Sequence, residues 1–244
     1  MELKKQLREA LLPLYRHLLE SVSDFEYKKV TFCLQWGSNF PTKKRSGFLF
    51  VGRATNGWIS SSEDVDVLFG NSEDAIFARS DQMQWVNNLE GNTDKNGYNT
   101  RRSAFWRVIK SVTKHFYPQE WYSHIAWSNV CKVAPGEGNP SDSLYGAQVD
   151  DCCKILEKEI EILSPSFVIM LTGDAWSKDF ISFLNKGEKP NSIVTKSWDG
   201  YNCNVYKIEG VFYVVSEHPQ SKPEDSHVLC LIDLITNLQK TNII

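Results

Sequence analysis

The sequence predicts an α/β fold: a three-layer α/β/α sandwich around a central four-stranded parallel sheet. Two observations predict it. Apolar β runs recur at residues 47–53, 125–131, 167–171 and 211–215, each ending in polar or glycine-bearing loop residues. Helix-period segments lie between them, which is the alternation of a parallel sheet joined by crossovers. Ligands of open α/β sheets bind outside the carboxyl ends of the strands. Here those ends collect residues 52–58, Asn129, Gly173 and His218.

The first element is helical by period. Leu3, Leu7, Leu11, Leu14 and Leu18 share one face, with Lys5, Glu9, Arg16 and Glu20 opposite. Pro13 predicts a kink or a restart. This helix forms an N-terminal extension of about 1–25 on the outside of one domain spanning 1–244. The first strand follows at 47–53. Residues 58–100 form a long polar connection, a length expected of a functional loop or an insertion, with one helix fitting 73–89.

Residues 100–116 predict a helix with Phe105, Val108, Ile109 and Val112 inside. The second strand runs over 125–131, and a helix fits 149–163 with Leu156, Ile160 and Leu163 on its core face. The third strand is 167–171, followed by a helix at 174–185. Residues 202–208 and 210–215 pair as a hairpin around Glu209-Gly210. Pro223-Glu224-Asp225 opens a last helix to about Lys240.

A net charge of −3 argues against a surface that coats nucleic acid all round, though a single basic face remains compatible with it. Cys33, Cys131, Cys152, Cys153, Cys203 and Cys230 show no zinc-ribbon or CxxC spacing, so free thiols in a reducing compartment are expected. No apolar run approaches the roughly 18 residues of a membrane span, and the first residues lack a signal-peptide apolar core. The expectation is a soluble, cytoplasmic, monomeric protein with no membrane partner, no metal and no cofactor.

Several pieces recur in a recognisable order. Asn129 ends a strand, and a Pro/Gly-rich loop fills 135–140. A helix carries Cys152, Cys153 and Leu156, then Glu159-Ile160 with Leu163 and Pro165. A β run opens into Gly173-Asp174-Ala175, and His218-Pro219 follows the last strand. Together these resemble the uracil-DNA glycosylase superfamily, most strongly its microbial iron–sulfur branches, from residue 47 to the C-terminus. The resemblance implies base excision repair: hydrolysis of the N-glycosidic bond of uracil or a related damaged base in DNA. Its alternative is a catalytically altered member that binds a nucleobase, nucleotide or nucleic acid without hydrolysis.

The resemblance implies roles residue by residue. Asn129 offers a donor and an acceptor to the edge of a flipped base; the plainer reading is an Asn capping a turn. His218 donates to the leaving base as charge builds on it; the plainer reading is a structural His. Gly52, Arg53 and Ala54 line the base pocket, and Tyr98 or Trp58 stacks on the base unless both belong to the core. Arg101, Lys132, Ser221 and Lys222 contact the phosphate backbone, with Arg102 beside them.

Two departures from the family stand out. Its water-activating carboxylate falls on Ala54 in one registration and on Arg53 in another, and neither side chain is a general base. Asn56 is then expected to orient the water, with Glu63, Asp64 and Asp66 as nearby acids or simply a solvated acidic turn. The cysteines that hold the cluster are also missing, so no iron–sulfur cluster is expected.

Overall fold

The computed structural model describes residues 2–26, 28–55, 64–70, 81–94 and 97–241. Helix α1 (Glu2–Ser21) is followed by β1 (Lys29–Thr31), β2 (Gln35–Trp36) and β3 (Phe48–Gly52). Two short helices come next, α2 (Val65–Phe69) and α3 (Gln84–Asn88), then α4 (Ala104–Phe116), β4 (Ile125–Asn129) and β5 (Val133–Pro135). The remainder is α5 (Asp142–Leu163), β6 (Phe167–Leu171), α6 (Asp174–Leu184), β7 (Val194–Trp198), β8 (Tyr201–Ile208), β9 (Val211–Ser216) and α7 (Glu224–Thr241).

The main sheet has the order β2-β4-β3-β6-β9-β8-β7. Its centre, β4-β3-β6-β9, is parallel, as the four apolar runs predict. Antiparallel strands extend it on both sides: β2 beside β4, then β8 and β7 beyond β9. The β8–β9 hairpin turns at Glu209 and Gly210, both at positive φ, the geometry its sequence demands. Strands β1 and β5 form a separate antiparallel pair.

The two faces of the sheet carry two cores, because successive strand residues point to opposite sides. Leu49, Val51, Val168 and Met170 face α1 and α5. Phe48, Phe50, Ile169 and Leu171 face α4 and α7. Strand β3 leaves toward α4 on one face and β6 toward α6 on the other, so a crevice opens beyond their carboxyl ends.

Helix α1 runs through Pro13 as one element. Leu7, Leu11, Tyr15 and Leu18 are buried against α5, and Tyr15 Oη donates to Phe32 O at 2.8 Å. Burial of such side chains contributes about 1.5–3 kcal/mol each, which over four outweighs the roughly 3 kcal/mol a proline costs. Tyr15, not Leu14, completes the stripe, so α1 belongs to the core of one layer.

Helix α5 starts seven residues before the predicted 149, because Ser141 Oγ caps it by accepting from Leu144 N at 3.3 Å. Of the helix predicted over 73–89, the described portion is α3, and 71–80 lie outside the described residues. Strand β7 was not expected from the sequence. No described helix is long and apolar enough to cross a membrane.

Lys132 corrects one expectation. It is not a phosphate contact: its side chain and that of Glu159 are 0% exposed. Lys132 Nζ donates to both Glu159 oxygens at 2.9 Å and to Ser128 Oγ at 2.6 Å, while Ser128 Oγ donates to Glu159 Oε2 at 2.6 Å. The end of β4 is thereby tied to the middle of α5. Removing one member strands a buried charge. Lys132→Ala is expected to lower unfolding stability by about 3–5 kcal/mol in denaturant titration, and a Lys132→Met/Glu159→Leu double variant to recover most of it. Equal stability of the single variant and the wild type would contradict this account.

Candidate functional site

Asn129 closes β4 at its carboxyl end, paired in register with Gly52 of β3. The two loops stay zipped beyond the strands: Val130 N donates to Gly52 O and Cys131 N to Arg53 O, each at 2.9 Å. Asn129 is buried, and among the described residues its Nδ2 has no hydrogen-bond partner. Its side chain lies across Gly52. A Cβ added there would come within 2.5 Å of Asn129 Oδ1 and 3.2 Å of Phe105 Cζ. Glycine is required at 52 for close approach of a side chain, not for an unusual φ.

Around Asn129 the strand ends open into a cleft of about 980 Å³. Gly52, Arg53, Ala54 and Thr55 form one wall, and His218, Gln220, Ser221 and Lys222 another. The third is aromatic. Phe105, Trp106 and Trp127 pack edge-on or tilted within 6.4 Å of one another, and Trp85 joins Trp106 at 5.4 Å. Tyr98 stands at the more exposed end, 6.2 Å from Trp85.

Phe105 is the aromatic that meets both Asn129 and His218. Its ring lies 6.1 Å from the His218 ring with planes 12° apart. The sequence offers Tyr98 or Trp58 as the stacking aromatic and places Phe105 on the inner face of its helix, where the structure also buries it. Ser103 caps α4 by accepting from Trp106 N, which sets Phe105 in the first turn, at the helix end that faces the cleft. An aromatic two residues after a Ser that caps a helix was the available signal.

His218 follows β9 on a short loop. The strand end before it is pinned, with Ser216 Oγ 2.8 Å from His227 Nε2 and the His227 ring stacked on Trp198 at 4.0 Å. Gln220 N donates to His218 Nδ1 at 3.3 Å. That acceptor role leaves the proton of a neutral ring on Nε2. Burial first, then the Arg53 guanidinium and the Lys222 ammonium, push the His218 pKa down to about 4. The site therefore holds an uncharged imidazole that offers one N–H.

The cations are themselves restrained. Arg53 Nε donates to Thr172 O at 2.8 Å, and its guanidinium lies over Trp176 at 5.7 Å. Lys222 sits 3.8 Å from Glu217 and over the Tyr201 ring at 5.2 Å. Arg102 lines the cleft, whereas Arg101 lines a smaller neighbouring hollow of about 360 Å³ and does not reach the main one.

Asn56, Trp58 and Glu63 lie outside the described residues. The two described acids of that stretch serve the fold: Asp64 caps α2 by accepting from Asp66 N at 2.8 Å, and Asp66 lies 3.9 Å from Arg16. Neither lines the cleft. Its one carboxylate among the described lining residues is Glu224, which is paired with Arg107.

The cysteines do not fit a four-thiolate cluster. Among the described residues, no group of three or more His, Cys, Asp or Glu is arranged to hold a metal ion. Burial raises the thiol pKa values of Cys33, Cys131 and Cys153, and that of Cys152 to about 12. A comparison with protein-family models finds one described as "Uracil DNA glycosylase superfamily" matching residues 36–222. No curated protein matches the chain.

Two expectations follow from the site. Gly52→Ala should displace the Asn129 amide and weaken binding of a uracil-containing oligonucleotide about tenfold, the equivalent of one hydrogen bond; unaltered binding would remove Gly52 from the site's design. The second concerns pH. His218 titrates at about 4 and His227 at about 3 in the folded chain, against roughly 6.5 for free imidazole. As pH falls through about 6.5, the unfolded chain takes up these protons first. Stability is full above that value and declines as pH falls toward 4 and then 3. Denaturant titrations across that range should show the decline, and His218→Gln should make it shallower. An identical slope in the variant would argue against a half-buried, neutral His218.

Proposed function

Since the chain belongs to the Uracil DNA glycosylase superfamily, we propose that its cleft receives a base flipped out of DNA and cleaves the bond between that base and its sugar. The observation that carries this reading is the buried Nδ2 of Asn129, without a partner among the described residues, beside Gly52 and Phe105. An amide held there, with its donor unmet, suits the polar edge of a uracil-like base.

The chemistry asked of the protein is modest. The C1′–N bond breaks with its electron pair going to the base; a water oxygen attaches at C1′, and the proton that water gives up ends on the departed base, so that base N–H and sugar C1′–OH are the products. His218 Nε2–H supports the charge that grows on the departing base. A neutral imidazole is well suited, because it donates without first surrendering its own proton. Arg53 and Lys222, the same cations that keep His218 neutral, also favour a base leaving as an anion. Phe105 flanks the base and excludes water. Ser221, Lys222 and Arg102 stand at the rim, where a phosphate backbone would pass. The reading implies a cytoplasmic protein acting as a monomer on DNA.

One observation favours a second reading. Ala54 carries no carboxylate, and the cleft's described carboxylate is committed to Arg107. A pocket that selects a base without activating water would bind a nucleobase, nucleotide or nucleic acid and leave the bond intact.

Alkaline cleavage of a uracil-containing oligonucleotide separates the two. Wild-type protein is expected to cut slowly, since loss of a general base typically costs about 10²–10⁴-fold. His218→Ala should slow it a further 10²–10³-fold, roughly the loss of one preorganised donor. Ala54→Asp should accelerate it, and Asn129→Asp should weaken selection of uracil. If all four proteins leave uracil uncut while wild type still binds a free base or nucleotide, the binding reading replaces hydrolysis.

A further inference from the structure

The cleft holds a second unmet group. Thr55 is almost fully buried on the cleft wall, and among the described residues its Oγ1 has no hydrogen-bond partner. Buried hydroxyls nearly always find one, so an orphan asks for a cause. Fraying of the loop is a poor cause. The backbone of Gly52 and Arg53 is zipped to β4's outgoing loop, and the Arg53 side chain is tied to Thr172. The chain enters position 55 from a fixed support.

The two residues that carry these atoms, Asn129 and Thr55, line one cleft beyond two adjacent strands, and among the described residues neither Asn129 Nδ2 nor Thr55 Oγ1 has a partner. Nδ2 can only donate, whereas a threonine hydroxyl gives and receives. A ligand satisfying both carries at least two polar atoms, one of them an acceptor, on a body that fits among Gly52, Phe105 and His218. A planar base with a carbonyl and a second ring polar atom has that form.

We propose that Thr55 is a specificity-determining residue: its hydroxyl hydrogen-bonds the bound base and, with Asn129, reads its polar edge. This rests on the cleft's being a base pocket. It adds a contact where the catalytic carboxylate of the family is absent, and it makes position 55 part of recognition whether or not the bond is cut.

The test uses the full chain with Thr55→Val, which keeps the shape and removes the hydroxyl, and Thr55→Ser, which keeps the hydroxyl. Dissociation constants for free uracil and for a uracil-containing oligonucleotide are measured together with melting temperatures, with Asn129→Ala as a reference. Thr55→Val should melt at or above the wild-type temperature, because it loses an unmet polar group, yet bind uracil about tenfold or more weakly. Thr55→Ser should bind within about threefold of wild type. If Thr55→Val binds as wild type does while Asn129→Ala does not, this inference falls and the base pocket stands. A Thr55→Val protein that melts markedly lower with unchanged binding shows the hydroxyl satisfied by structural water, and also overturns it. Wild type that binds neither probe overturns the pocket and this inference together.

Discussion

A fully buried lysine organises the functional end of this molecule. Lys132 gives its ammonium to Glu159 and Ser128, and its position in sequence decides what that achieves. Ser128 is the residue before Asn129, and Lys132 comes three after it. The pair therefore holds both flanks of a residue that lines the cleft. Two charges so fully removed from water must keep each other. Helix α5, which carries Glu159, is in turn held by α1, so the geometry of the cleft is underwritten by a layer on the far face of the sheet.

The opposite wall of the cleft works by repulsion. Arg53 and Lys222 surround an imidazole that burial has already disposed to neutrality. Each cation has its own restraint, one at Thr172 and Trp176, the other at Glu217 and Tyr201. The field at His218 is thus built from side chains with little freedom to turn away. One arrangement of cations, added to burial, sets the protonation of the imidazole.

The parallel centre of the sheet was legible because a strand buried on both faces must be continuously apolar. The loops at its carboxyl ends were legible because polarity begins where burial stops. Strand β7 gave no such sign: Thr195, Lys196 and Ser197 lie at an edge, and only Trp198 among its residues is buried. Lys132 was misplaced because a lysine reads as solvated unless its partner is known, and Glu159 lies 27 positions away. Phe105 was rightly assigned to a core by helical period, but that period tells which side a residue takes and not which end of the helix it occupies, so its place beside the cleft went unread. Thr55 was passed over because an unmet hydroxyl exists only in three dimensions.

Helix α1 has a consequence for how this chain can be divided. The segment shared with the superfamily begins at 36 and stops at 222, before α7 and well after α1. Yet Leu7, Leu11, Tyr15 and Leu18 lie in the same packed cluster as Leu49 and Val168, and α7 supplies Leu231 and Ile235 to the other. The matched segment and the packed unit therefore differ in extent. A chain trimmed to residues 36–222 would expose one flank of each core to water, because α1 and α7 cover those flanks.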